Sequence, residues 1–153
     1  MTTEQQETPG QRLDRELSEL LQELRVVLSG VQVLLAFLLT APFNQRISEL
    51  TADLRELYFA AICCAVVAVV LLLAPPAHHR LRFREGDKER LVRFGTRLAV
   101  WGTVFLAAAI VLALYVVTEV LFNGAVALLA ALVGAALFAA VWYLLPLSWR
   151  RAD

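Results

Sequence analysis

A chain of 153 residues has room for one compact unit and not for two ordinary domains. Hydrophobic residues make up 59% of it and charged residues only 18%, a balance that excludes an ordinary water-soluble domain. The net charge is zero, which excludes a global field for nucleic acid and leaves the positions of the charges as the informative feature.

In chain order, the opening MTTEQQETPG is acidic and polar, lacks the pattern of a secretory signal, and is expected to be disordered over residues 1–11. The stretch from Leu13 to Phe43 then predicts one unbroken helix that begins in water and ends in lipid, stopped by Pro42. Leu13, Leu17, Leu20, Leu24, Val27, Val31, Leu34 and Leu38 form an apolar seam at alternating steps of four and three. On the opposite side Ser18, Gln22, Arg25, Ser29, Gln32, Ala36 and Thr40 fall close to one line. A membrane span needs no polar stripe, so the continuation of this one into the apolar part requires a reason.

Charges bound four apolar runs: 20 residues between Arg25 and Arg46, 23 between Glu56 and Arg80, 21 between Arg97 and Glu119, and 30 between Glu119 and Arg150. A helix crosses the hydrocarbon in about 20 mostly apolar residues. Spans are therefore expected near 25–42, 56–75, 97–119 and 124–146, inside a membrane domain covering 12–149, followed by a tail at 150–153. The fold class is an all-α, four-span transmembrane bundle whose first helix extends into the cytoplasm. Of the 14 basic residues, 12 fall in the N-terminal segment, the second connection and the tail. Basic residues stay inside, so both termini are expected in the cytoplasm of a bacterial plasma membrane.

The first connection, from Asn44 to Glu56, places Ile47, Leu50, Leu54 and Leu57 at helical steps and predicts a short interfacial helix leading into the second span. Cys63 and Cys64 are neighbours in the second apolar run and read as packing residues. That span carries a small-residue row, Ala60, Cys64 and Ala68, and Pro75-Pro76 is expected to end it. The second connection, a hairpin at 76–97 turning at Gly86-Asp87, holds Arg80, Arg82, Arg84, Lys88, Arg90, Arg93 and Arg97. It suits anionic headgroups on the inner surface. It suits nucleic acid poorly, having no recognition fold or stacking platform. The rows Gly95, Ala99, Thr103, Ala107 and Ala127, Ala131, Ala135, Ala139 (with Gly134) are expected to meet across the tight turn at Phe122-Asn123-Gly124. Trp142, Tyr143, Pro146 and Trp149 mark the exit of the fourth span.

Catalytic chemistry finds no support in these residues. His78 and His79 are adjacent with no further ligand nearby, no phosphate-binding glycine loop is present, and no nucleophile has a base. No cofactor or metal is expected, and the protein reads as a non-enzyme. Glu119, the one acid near a span, reads as an outer interfacial residue. Two arrangements account for the stripe of Ser18, Gln22, Arg25, Ser29, Gln32 and Thr40. Either it faces its own bundle, with Gln32 bonded to a neighbouring helix, or several first helices turn it toward a shared axis, as in a pore with Arg25 at the mouth and Gln32 at the constriction.

The blocks ELLQELRVVLSGVQVLLAFLLTAPF, RELYF and APPAHHRLRFREGDKERLV resemble an uncharacterised family of small four-span membrane proteins from high-GC Gram-positive bacteria, grouped as a domain of unknown function. The matching residues include Glu19, Leu20, Glu23, Leu24, Arg25, Gln32, Phe37, Pro42, Phe43, Tyr58, His79, Arg80 and Phe83. The resemblance implies a bacterial plasma membrane and four spans, and no activity. Where it leads one to expect a proline, this chain has Ser29-Gly30, which implies a straighter first helix. The leading functional expectation is a self-associating membrane module, motivated by the leucine seam and the small-residue rows. Its rivals are a homo-oligomeric ion channel or small transporter lined by the stripe, and an anionic-lipid sensor built on the Arg-rich hairpin.

Overall fold

The computed structural model describes residues 9–43, 50–81 and 88–144, and they form four long helices with no strand among them. Helix α1 runs unbroken over Pro9–Thr40. It starts at Pro9, where a missing N–H costs nothing because the first turn has no partner for it, so residues 9–11 are helical and not part of a disordered tail. Its end tightens into a 3₁₀ turn at Ala41–Phe43, since Pro42 cannot continue the ladder. Helix α2 spans Ala52–Leu81, α3 spans Lys88–Leu121 and α4 spans Gly124–Ala139, the last passing into a π turn at Ala140–Leu144. All four are long and apolar enough to cross a membrane, over Ser18–Phe43, Ala52–Pro75, Arg93–Leu121 and Gly124–Trp142.

Pro75-Pro76 closes the second span as expected, the spanning stretch running over Ala52–Pro75, although the helix itself continues to Leu81. The prolines deprive only the carbonyls of Leu71 and Leu72 of their N–H partners. The first connection, by contrast, does not run into α2 as a continuous helix, which corrects that expectation. Residues 50 and 51 are not helical, α2 begins at Ala52, and the rest of that segment lies outside the described residues. Leu50 is nonetheless buried, so an apolar contact holds this end of the connection against the bundle. The turn at Gly86-Asp87 also lies outside the described residues.

Helices α2 and α3 pack along each other most extensively, α1 lies against both, and α4 packs on α3. Two apolar clusters fill the three-helix part. Leu24, Leu28 and Val31 of α1 meet Ala68, Leu72 and Leu106 nearer the basic end, while Leu38, Leu50, Tyr58, Ala65, Ala109 and Val116 fill the other end. From Leu20 onward the leucine seam of α1 is thus consumed inside its own bundle: Leu24, Val31 and Leu38 are buried, and Leu20, Val27 and Leu34 pack against the clusters, while the side chains of Leu13 and Leu17 lie outside the described residues. From Leu20 to Leu38 the seam is not available for self-association, which corrects that part of the expectation.

The small-residue rows are also redistributed. On α2 the close approach uses Ala61, Ala65 and Ala68, all fully buried, while Ala60 and Cys64 are only half-buried. On α3 the first half of the row, Gly95 and Ala99, does not face α4. A Cβ on Gly95 would meet Leu20 of α1 and Pro75 of α2, a Cβ on Gly102 would meet Leu72, and Ala99 belongs to the cluster shared with α1 and α2. Helix α4 supplies the small residues at its own contact. Ala127 and Ala131 are buried, and Leu114 and Val111 of α3 lie over Gly134, whereas Ala135 and Ala139 are exposed. In lipid such close approach is what association rests on, because a leucine gains nothing by leaving acyl chains for protein. The α3–α4 turn itself is as expected. Asn123 adopts an extended backbone and its side chain accepts from the Val126 N–H at 3.1 Å, capping α4.

Candidate functional site

Ser18, Gln22, Arg25, Ser29, Gln32 and Thr40 are all exposed on the face of α1 turned away from the bundle. The reason is the seam: with Leu24, Leu28, Val31 and Leu38 committed to α2 and α3, helical geometry directs the stripe outward. The arrangement in which the stripe faces its own bundle, with Gln32 bonded to a neighbouring helix, is therefore corrected.

The stripe's members differ in what they still need. The Ser29 hydroxyl donates to the Arg25 carbonyl at 3.1 Å, Thr40 to Ala36 at 2.9 Å and Phe37 at 3.1 Å, and Ser18 to Arg15 at 2.8 Å. Short hydroxyls satisfy themselves on the preceding turn, so these three need no outside partner. Gln32 has no hydrogen-bond partner among the described residues. Its amide carries two donor hydrogens and an acceptor oxygen that the helix cannot serve.

Depth separates them further. Leu20 of α1 abuts Gly95 of α3, and Val31 shares a cluster with Leu106, so the two helices run parallel in a constant register. By that register Gln22 is level with Arg97, Arg25 with Val100, and Gln32 with Ala107. Ala107 stands near the middle of the charge-free stretch between Arg97 and Glu119. At 1.5 Å per residue, Gln32 is about 15 Å from either boundary, the half-thickness of the hydrocarbon. Arg25 lies close enough to the boundary for its long side chain to reach the headgroups. Gln32 is thus the stripe's one unmet polar group at mid-membrane, a distinction that counting along a single helix does not reveal.

The basic set is placed only in part. Arg93 and Arg97 are exposed on α3, beside exposed Phe94 and Trp101. Arg80, Lys88 and Arg90 belong to helix ends whose side chains are outside the described residues, as are Arg82 and Arg84 altogether. Glu119 is half-buried. Its Oε1 would lie 3.7 Å from a Cβ on Gly124, under the first turn of α4, and its Oε2 is buried without a hydrogen-bond partner. The turn thus covers part of this acid, which sequence reasoning placed simply at an interface.

Sequence reasoning missed a contact that organises the end of α1. Tyr58 is buried near the start of α2 and its hydroxyl donates to the Leu38 carbonyl. That carbonyl would ordinarily accept from residue 42, and Pro42 has no N–H. The signal was present as a proline four residues after an apolar position, but the donor's identity needed the fold. Among the described residues no three His, Cys, Asp or Glu side chains converge as a metal site requires.

Four spanning helices make this a multi-pass membrane protein. Comparison with curated proteins and with solved structures finds no match. A family model described as a family of unknown function (DUF6328) matches residues 6–146. Covering nearly all of the helical bundle, that match establishes that the chain belongs to the DUF6328 family.

Proposed function

We propose that the protein is a non-catalytic membrane module that acts by self-association, seated in a bacterial plasma membrane with both termini in the cytoplasm. One observation carries the reading: the first helix turns a continuous polar face away from its own bundle, with an unpartnered amide at mid-depth. An isolated copy would hold that amide against acyl chains, and an unpaired amide in hydrocarbon costs about 4–8 kcal/mol on water-to-cyclohexane scales. Covering the face with protein removes much of that cost. The orientation follows from the basic residues gathered at one end, Arg93 and Arg97 exposed among them. Crosslinking in native lipid, or counting bleaching steps of single labelled molecules in dilute vesicles, is expected to give oligomers. Monomers alone would remove the reading.

A second reading, retention of anionic lipid, is favoured by the exposed Arg93 and Arg97 standing beside Phe94 and Trp101, which are 50% and 60% exposed. Guanidinium groups above interfacial aromatics match a phosphate headgroup over the first methylenes of its chains. Protein extracted from mixed vesicles is expected to carry anionic over zwitterionic lipid, and replacing Arg90, Arg93 and Arg97 by Gln is expected to abolish that bias. An unchanged lipid profile would rule this site out.

A further inference from the structure

We propose that two copies pair in parallel about a twofold axis along the membrane normal, through Ser29, Gln32 and Ala36 of α1, with the two Gln32 amides hydrogen-bonded to each other. The pairing rests on the self-association reading and specifies its surface and its symmetry.

Three properties of this face select a second copy as its occupant. All three residues are exposed and adjacent on the helix surface, and none is used inside the bundle. Gln32 needs a donor and an acceptor at one depth, mid-membrane. Any unrelated partner would have to present such a group at that level by coincidence. A parallel copy does so by construction, because both copies insert in the same sense and a twofold axis sets each residue near its own counterpart. A primary amide is also self-complementary, its N–H₂ meeting the other's carbonyl. The residues one turn to either side, Ser29 and Ala36, are small, and the Ser29 hydroxyl folds back onto its own helix at 3.1 Å. Small flanks let the two helices close on one another, leaving no lumen between them. The most exposed large apolar groups of α1, Val26, Val33 and Phe37, lie to one side of this line and face lipid in the pair, and Leu39 flanks it on the other side. A water-filled ring of first helices would instead hold these faces apart.

The test uses the full-length protein in liposomes. Cys63 is exposed on α2 at a similar depth, so Cys63 and Cys64 are first replaced by Ala. Single cysteines are then placed by Ser29→Cys, Ala36→Cys and Gly30→Cys, the last about 160° round the helix from Gln32 and with open space at its Cβ. Oxidation is expected to link the Ser29→Cys and Ala36→Cys proteins into dimers and to leave the Gly30→Cys protein monomeric. Interhelical hydrogen bonds of this kind are worth about 1–2 kcal/mol in model peptides, so Gln32→Leu is expected to raise the dissociation constant roughly 5- to 30-fold. Because Gln32 is exposed and makes no hydrogen bond with the described residues of its own bundle, that loss should leave the unfolding transition of the monomer unchanged. A dissociation constant unchanged in Gln32→Leu, or dimers linked through Gly30→Cys, would overturn this surface while leaving self-association standing. Monomers under every condition would overturn both. Ladders beyond the dimer, with an ion flux that Gln32→Leu alters, would replace the pair with a ring.

Discussion

Gly102→Ala is expected to destabilise the bundle by about 1–3 kcal/mol, a large effect for one methyl group. The added Cβ would lie 2.7 Å from Cγ and 2.8 Å from Cδ2 of Leu72, and 3.5 Å from the Ala68 carbonyl oxygen. Leu72 is fully buried among Leu24, Leu28, Val31, Ala68 and Leu106, so its branch has nowhere to retreat without moving α1 or widening the α2–α3 contact. Leu72→Ala has the opposite fault. It opens a cavity, and with lipid as the surrounding solvent the loss is of packing alone, which places it toward the lower end of the roughly 2–5 kcal/mol seen for buried leucines. Each substitution supplies what the other lacks, since the alanine methyl at 102 enters the space vacated at 72. The double variant is expected to cost less than the two single variants together by about 0.5–3 kcal/mol, read from tryptophan fluorescence during denaturant titration in mixed micelles. Strict additivity would show that the two positions are not in contact.

Tyr58→Phe is expected to cost about 1–3 kcal/mol by leaving the Leu38 carbonyl buried and unpaired. The ring volume is kept, so the loss reports the hydroxyl. Pro42→Ala tests the cause directly. It restores an N–H where the α-helical ladder would deliver one to Leu38, and it removes the ring that ends α1. In the Tyr58→Phe background, Pro42→Ala is expected to recover part of the stability. Equal losses with and without Pro42→Ala would mean that the carbonyl does not depend on Tyr58 for its partner. The bond also ties the far end of α1 to the first turns of α2, across a connection that spans only Ala41 to Thr51. Losing it should therefore speed hydrogen exchange at the end of α1 more than at Leu24 or Val31.

The self-association reading shows how sequence and structure divide the work. Its first motive, the leucine seam, is a contact surface, but from Leu20 to Leu38 its partner is the chain's own bundle. A seam of Leu24, Val31 and Leu38 looks the same whether it meets another molecule or the chain's own α2 and α3. Small residues carry a similar ambiguity. Gly95, Gly102 and Gly134 each mark a close approach, but a row of glycines and alanines does not say which neighbour approaches. The prolines mark the end of the span and not of the helix: Pro75-Pro76 closes the apolar run, while α2 continues to Leu81.

What the sequence alone determined is the solvent of each segment. Runs of 20 to 30 residues without charge, bounded by arginines and acids, require four helices in lipid, since only a helix satisfies its backbone there without neighbours. The tight α3–α4 turn at Asn123 and the polar line along α1 follow from local geometry and were equally legible. The tertiary structure alone decided which face of each helix is spent inside the molecule. That choice belongs to the joint packing of Leu72 against Gly102 and of Tyr58 against Leu38, pairs separated by 20 residues or more, and no period within one helix encodes it. Once those contacts take the seam, the polar line of α1 faces outward and Gln32 is left at mid-membrane without a partner.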